Sequence, residues 1–104
     1  MELTEISETL GKFYKDKIVT AIIGVETEVK KVESLAKSLC GHNNVEDIYI
    51  VTGEFDILIK VRFVDFFSLN EFLVEELSKM PGIKSSKTMM VLSTVKDSGR
   101  IVSG

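Results

Sequence analysis

VEDIYIVTGEFDILIKVRFV, residues 45 to 64, is the stretch on which the fold turns. Two runs rich in β-branched and aromatic residues flank a glycine, the pattern of a β-hairpin. With strands over 45 to 52 and 55 to 64, Gly53 and Glu54 become the two central residues of a type II′ turn. Thr52 then pairs with Phe55, Val51 with Asp56, Ile50 with Ile57 and Ile48 with Ile59. In that register Ile48, Ile50, Phe55, Ile57, Ile59, Val61 and Phe63 form one apolar face suited to helical cover. The opposite face, Tyr49, Val51, Asp56, Leu58, Lys60 and Arg62, mixes apolar with charged side chains.

Upstream of the hairpin, IVTAIIGV predicts a first strand over 18 to 25, apolar on both faces and so expecting cover on both. Thr27 is placed to cap a helix whose inner face is Val29, Val32, Leu35, Ala36, Leu39 and Cys40, ended by Gly41. Downstream, Asp65 is placed to cap a helix over 66 to 79 with Phe66, Leu69, Leu73, Leu77 and Met80 inward, stopped by Pro81 and Gly82. A last strand runs from Ile83 to about Val95, and residues 96 to 104 read as a flexible tail. Ahead of these elements Leu3, Ile6, Leu10 and Phe13 recur at helical spacing, predicting an N-terminal helix over 3 to 14 within an extension of residues 1 to 17. The order strand, helix, strand, strand, helix, strand over 18 to 95 is the α+β, ferredoxin-like βαββαβ arrangement: a four-stranded antiparallel sheet with both helices on one face. The uncovered face, together with the two-sided first strand, predicts sheet-to-sheet packing of two subunits.

Composition narrows the function. The 104 residues fit one domain, and 44% hydrophobic with 28% charged residues is the balance of a folded chain. No run reaches the roughly 18 apolar residues of a membrane span, and the N-terminus lacks the pattern of a secretory signal, so a cytoplasmic location is expected. A net charge of −3 disfavours direct DNA binding by this chain. Cys40 is the one cysteine, which excludes an internal disulfide and a multi-cysteine metal site within one chain, and it reads as a small apolar residue. His42, the one histidine, lies in the polar loop GHNN and reads as a surface residue; no metal, cofactor or catalytic motif stands out.

Over residues 18 to 95 the chain resembles the effector-binding (RAM) domain of the Lrp/AsnC transcription regulators, and VEDIYIVTGEFDILIKVRFVDFFSLNEFLVEELSKMPGIKSSKTMMVL carries the likeness. Within it VTGEFD matches the family's turn, LSKMPGI matches the passage from the second helix into the last strand, and Thr88 stands where that strand commonly carries threonine. Only about seventeen residues precede the first strand, too few for the family's helix-turn-helix domain, so the chain resembles a stand-alone RAM domain. The resemblance implies dimers packed through their sheets, rings of dimers, and an amino-acid effector bound near the turn. It also implies possible hetero-assembly with full-length regulators, without DNA contact of this chain's own.

The ligand-binding residues it implies are Val51, Thr52, Gly53, Glu54, Phe55, Asp56, Thr88 and Met89. Their chemistry is compatible with that: Gly53 permits positive φ and close backbone approach, exposed N–H groups suit a carboxylate, and Asp56 suits an ammonium group. Thr52 and Thr88 offer hydroxyls, and Met89 and Met90 an adaptable apolar wall or ordinary packing. By its chemistry alone Asp56 favours pairing with Lys60, Arg62 or Lys87 in a structural role, and only the resemblance favours a ligand role. A small dimeric enzyme and a purely structural assembly module are the other functional classes this architecture accommodates.

Overall fold

The computed structural model describes residues 18–102, so the expected helix over 3 to 14 lies outside the described residues. Strand β1 (Val19–Thr27) is followed by a 3-10 turn (Val29–Lys31) and helix α1 (Val32–Cys40). Strands β2 (Val45–Ile50) and β3 (Ile57–Phe63) form the hairpin. Helix α2 (Phe66–Glu71) continues through a π-helical stretch (Phe72–Glu76) and a 3-10 turn (Leu77–Lys79) into β4 (Ile83–Met90). The sheet order is β2-β3-β1-β4 with every neighbouring pair antiparallel, the ferredoxin-like arrangement.

The core lies on the helix side of the sheet. Val19, Ala21, Ile23 and Val25 from β1 and Ile57, Ile59, Val61 and Phe63 from β3 are buried there against Leu35, Ala36 and Leu39 of α1 and Phe66, Leu69, Phe72 and Leu77 of the second helical run. The alternate residues of β1, Thr20, Ile22, Gly24 and Glu26, face the side without helices. Hairpin register follows the expected pairs Ile48 with Ile59 and Ile50 with Ile57. A bulge falls between Val45 and Asp47, so that Val45 stands opposite Val61 and turns inward to pack on the core, where strict alternation would send it outward. Glu46, freed from the ladder, reaches Lys60 Nζ at 3.7 Å and Arg62 Nη1 at 3.4 Å on the open face.

Several expectations are corrected. Thr27 is the last residue of β1, not a helix cap: its hydroxyl donates to the Glu28 carbonyl at 2.8 Å and the residue is 2% exposed. Val29 and Cys40, expected on the inner face of α1, are exposed, because the first turn is 3-10 and turns Val29 out of the stripe. In the second helical run Phe72, not Leu73, joins Leu69 and Leu77 as a fully buried residue, because the π-helical turn inserts one residue between Phe72 and Leu77. Asp65 does cap this run: the Ser68 N–H donates to its Oδ1 at 2.7 Å, and that bond holds the Asp65 carboxyl below its ordinary pKa.

The last strand ends at Met90 rather than near Val95, with the Val91 N–H still donating to the Thr20 carbonyl at 2.9 Å just beyond it. The stretch read as a tail contains a small hairpin, β5 (Lys96–Asp97) with β6 (Arg100–Ile101), turning at Ser98 and Gly99, both at positive φ. It is tied to the open sheet face by Lys60 Nζ, 3.2 Å from Asp97 Oδ1. The Asp97 carboxylate, accepting that hydrogen bond, raises the Lys60 pKa above the ordinary lysine value.

Candidate functional site

Residues 51 to 56 leave the hairpin ladder, and their chain makes a six-residue loop where a two-residue turn was expected. Gly53, at φ +122°, stands at its tip with Thr52 and Glu54, all exposed. Only glycine adopts that conformation without strain. The loop closes on itself through the Val51 N–H, which donates to the Asp56 carbonyl at 3.0 Å.

Asp56 anchors the loop to β1. Its N–H donates to the Val25 carbonyl at 2.9 Å, and its Oδ2 accepts from the buried Thr27 N–H at 2.9 Å. The carboxylate thus takes the place of the backbone acceptor that a longer β3 would have supplied, while on its other edge β1 runs on to Thr27, two residues beyond the strand expected over 18 to 25, by pairing with Ser85 and Ile83 of β4. None of the expected basic partners is used: Lys60 pairs with Glu46 and Asp97, and Arg62 with Glu46.

Phe55 corrects a further expectation. Strict alternation puts it with the helix-covered core, but its ring lies over Gly24 on the open face, where a Cβ at position 24 would come within 2.5 Å of the ring. Gly24 pairs with Leu58 and Lys87, so these side chains flank the ring. The close approach explains a glycine in the middle of a central strand. Gly24→Ala is expected to cost at least about 1 kcal/mol by overpacking. In a Phe55→Ala background the same substitution should cost much less, a non-additivity that a urea-unfolding double-mutant cycle measures.

The structure therefore gathers Val51 to Asp56 in one loop and separates the two β4 candidates. Met89 pairs with Ile22 on the open face, whereas Thr88 pairs with Ile23 and is directed to the helix side. His42 is more than a surface residue. Its Nε2 lies 3.1 Å from Glu76 Oε2, its Nδ1 accepts from the Asn44 N–H at 3.2 Å, and its ring meets Phe72 edge-on at 4.7 Å. It ties the α1–β2 loop to the π-helical stretch, a contact between distant segments that no local pattern announces. Among the described residues no cluster of His, Cys, Asp and Glu is arranged to hold a metal ion, and no helix is long and apolar enough to cross a membrane.

Comparison with known proteins accords with this geometry. The Lrp/AsnC ligand binding domain family matches residues 20–101. An uncharacterized HTH-type transcriptional regulator of Pyrococcus furiosus is 37% identical over 78 residues, 75% of this chain and 53% of the relative. A counterpart in Pyrococcus horikoshii is 35% identical over 78 residues, 75% of this chain and 49% of the relative. The chain thus spans about half the length of the curated relatives it matches. Among solved structures, a hypothetical protein from Pyrococcus horikoshii superposes with a TM-score of 0.68 at 32% identity, over 73% of this chain and 92% of that one. AsnC of E. coli superposes with a TM-score of 0.70 at 27% identity, over 85% of this chain and 56% of that one. With the βαββαβ fold, the VTGEFD loop and a family match spanning both, the chain belongs to the Lrp/AsnC ligand-binding domain family.

Proposed function

We propose that this chain is a cytoplasmic, non-catalytic amino-acid sensor in which effector binding is coupled to assembly. The observation that carries the reading is the ligand-binding family match over residues 20–101, on a sheet that leaves one face without helices. That face presents Tyr49 and Met89, 55% and 51% exposed, beside half-buried Ile22 and Leu58. Packing two such faces together would remove this apolar surface from water and form a homodimer. The Val51–Asp56 loop, Thr88 and Met89 are the effector-site residues of this reading, with dimers associating into a ring around bound ligand. Asp56 contributes by holding the loop in shape, and its second oxygen is left to face a ligand ammonium group.

A ligand that binds only the assembled state stabilises it by RT ln(1 + [L]/Kd), and so shifts the oligomer distribution. Hetero-assembly with HTH-bearing relatives would pass that shift to their DNA-binding domains, while this acidic chain, at net charge −3, makes no DNA contact itself. Calorimetric titration with the twenty amino acids, with light scattering before and after each, tests the reading. We expect heat and a change of mass for at least one of them. No heat and no change of mass across the whole set would refute it.

A further inference from the structure

The chain enters the sheet beside a cluster of exposed apolar side chains. Ile18, immediately before β1, is 67% exposed, and Val64, immediately after β3, is 71% exposed. Val19 and Phe63 are paired and face the helices, so alternation turns Ile18 and Val64 to the open face side by side. Both line one groove of about 260 Å3, together with Asn44 and Arg62. Phe67, three residues beyond Val64 in the first turn of α2, is 73% exposed, because its neighbour Phe66 takes the inward position. Three large apolar side chains around the end of one strand pair exceed the scattered exposure of an ordinary surface.

This groove is separate from the surface assigned above to the dimer. Along the open face of β3 the order is Val64, then Arg62 and Lys60, then Leu58. Lys60 and Arg62 line a cavity with Lys96 and Asp97 of the β5–β6 hairpin. The hairpin therefore stands between the groove and Tyr49, the partner of Leu58.

The residues ahead of Ile18 suit the groove. Leu3, Ile6, Leu10 and Phe13 repeat at the spacing of one helical face. Glu2, Glu5 and Glu8 fall in the first half of that stretch and Lys12, Lys15 and Lys17 at its end, the charge order that a helix dipole favours. Phe13 is five residues ahead of Ile18, a span of at most about 18 Å, so the C-terminal half of the stripe reaches the groove through a short polar connection. A segment tethered in this way meets the groove at an effective concentration on the order of millimolar, an advantage that a second copy in solution lacks.

We propose that residues 3–14 form an amphipathic helix that docks on this groove of its own subunit, with Leu10 and Phe13 against Ile18, Val64 and Phe67. The docked segment covers an apolar end of the sheet and leaves the Tyr49 and Met89 surface free for a second copy. The proposal does not depend on the amino-acid reading or on the Val51–Asp56 loop.

Trypsin cleavage of the full chain after Lys12, Lys15 and Lys17, followed by mass spectrometry, tests this. Cleavage should be roughly tenfold or more slower than in a Leu10→Ser/Phe13→Ser variant, because only the undocked segment is cut. A Val64→Ser/Phe67→Ser variant, whose segment is unaltered, should be cut as fast as that variant, and combining the two pairs should add nothing further. Val64 and Phe67 are exposed, so the circular dichroism spectrum should stay as in the wild type. Protection should also be constant over a roughly hundredfold range of protein concentration. Protection retained in Val64→Ser/Phe67→Ser would place the segment elsewhere, and fast cleavage of the wild type would mean that it does not dock; either result overturns the proposal. Protection that grows with protein concentration would overturn it as well, by assigning the groove to a second copy.

Discussion

Phe72→Ala should be the most damaging single truncation in the second helical run, costing about 3–5 kcal/mol, while Leu73→Ala costs roughly half of that or less. The neighbours differ because Phe72 is 1% exposed and Leu73 is only partly buried. Phe72 also meets two other rings, Phe63 at 5.4 Å between centroids and His42 at 4.7 Å. Removing it opens a void beneath the α1–β2 loop and takes away the surface on which His42 rests. A regular α-helix would reverse the order, because positions 69, 73 and 77 would form the buried row and Phe72 would sit at its margin. Urea unfolding of the two variants at one protein concentration therefore reads out the π-helical insertion directly. A larger loss for Leu73→Ala would mean that the run is regularly helical.

That pair of residues illustrates where the sequence is legible and where it is not. Apolar spacing places a helix over 66 to 79 and Asp65 at its start, because capping and amphipathicity are local properties. A one-residue π insertion preserves both signals while rotating everything after it, so the pattern could not distinguish Phe72 from Leu73 as the buried position. The hairpin behaves in the same way. Ile48, Ile50, Ile57 and Ile59 announce their register, since a slip by one residue would expose all four to the wrong face. The bulge at Glu46 and the loop at 51 to 56 interrupt the alternation, and it is at those interruptions that Val45 turns inward and Phe55 leaves the helix-covered face. Gly24 is a second signal for Phe55: a glycine amid β-branched neighbours in a central strand marks a close approach, although the approaching group is invisible until the chain is folded. The β5–β6 hairpin escaped because its strands are two residues each and carry no alternation to detect. Of the candidate site, the loop was legible from VTGEFD, whereas its attachment to β1 depends on contacts between segments far apart in the chain.

Asp56→Ala should destabilise the chain by about 2–3 kcal/mol, whether or not any ligand is present. The substitution leaves both backbone bonds of residue 56 in place, to the Val25 carbonyl and from the Val51 N–H. What it removes is the Oδ2 acceptor of the Thr27 N–H, in a residue 2% exposed to water. A buried donor without a partner bears its full desolvation cost, and here the lost acceptor is a carboxylate, the stronger kind. Asp56→Asn keeps an oxygen at the same position and should cost less than half as much. For a domain of this size a loss of 2–3 kcal/mol lowers the melting temperature by about 10 °C or more, read at fixed protein concentration because assembly also contributes. Asp56 thereby acquires a structural role that precedes any ligand, and the experiment must separate the two. If the carboxylate only anchors the loop, Asp56→Asn should retain most of the amino-acid affinity, because the loop keeps its shape. If its second oxygen also holds a ligand ammonium group, Asp56→Asn should lose roughly tenfold or more in affinity while keeping most of its stability. Stability and binding then move apart in a single isosteric variant, and equal stability of Asp56→Ala and wild type would exclude the anchor itself.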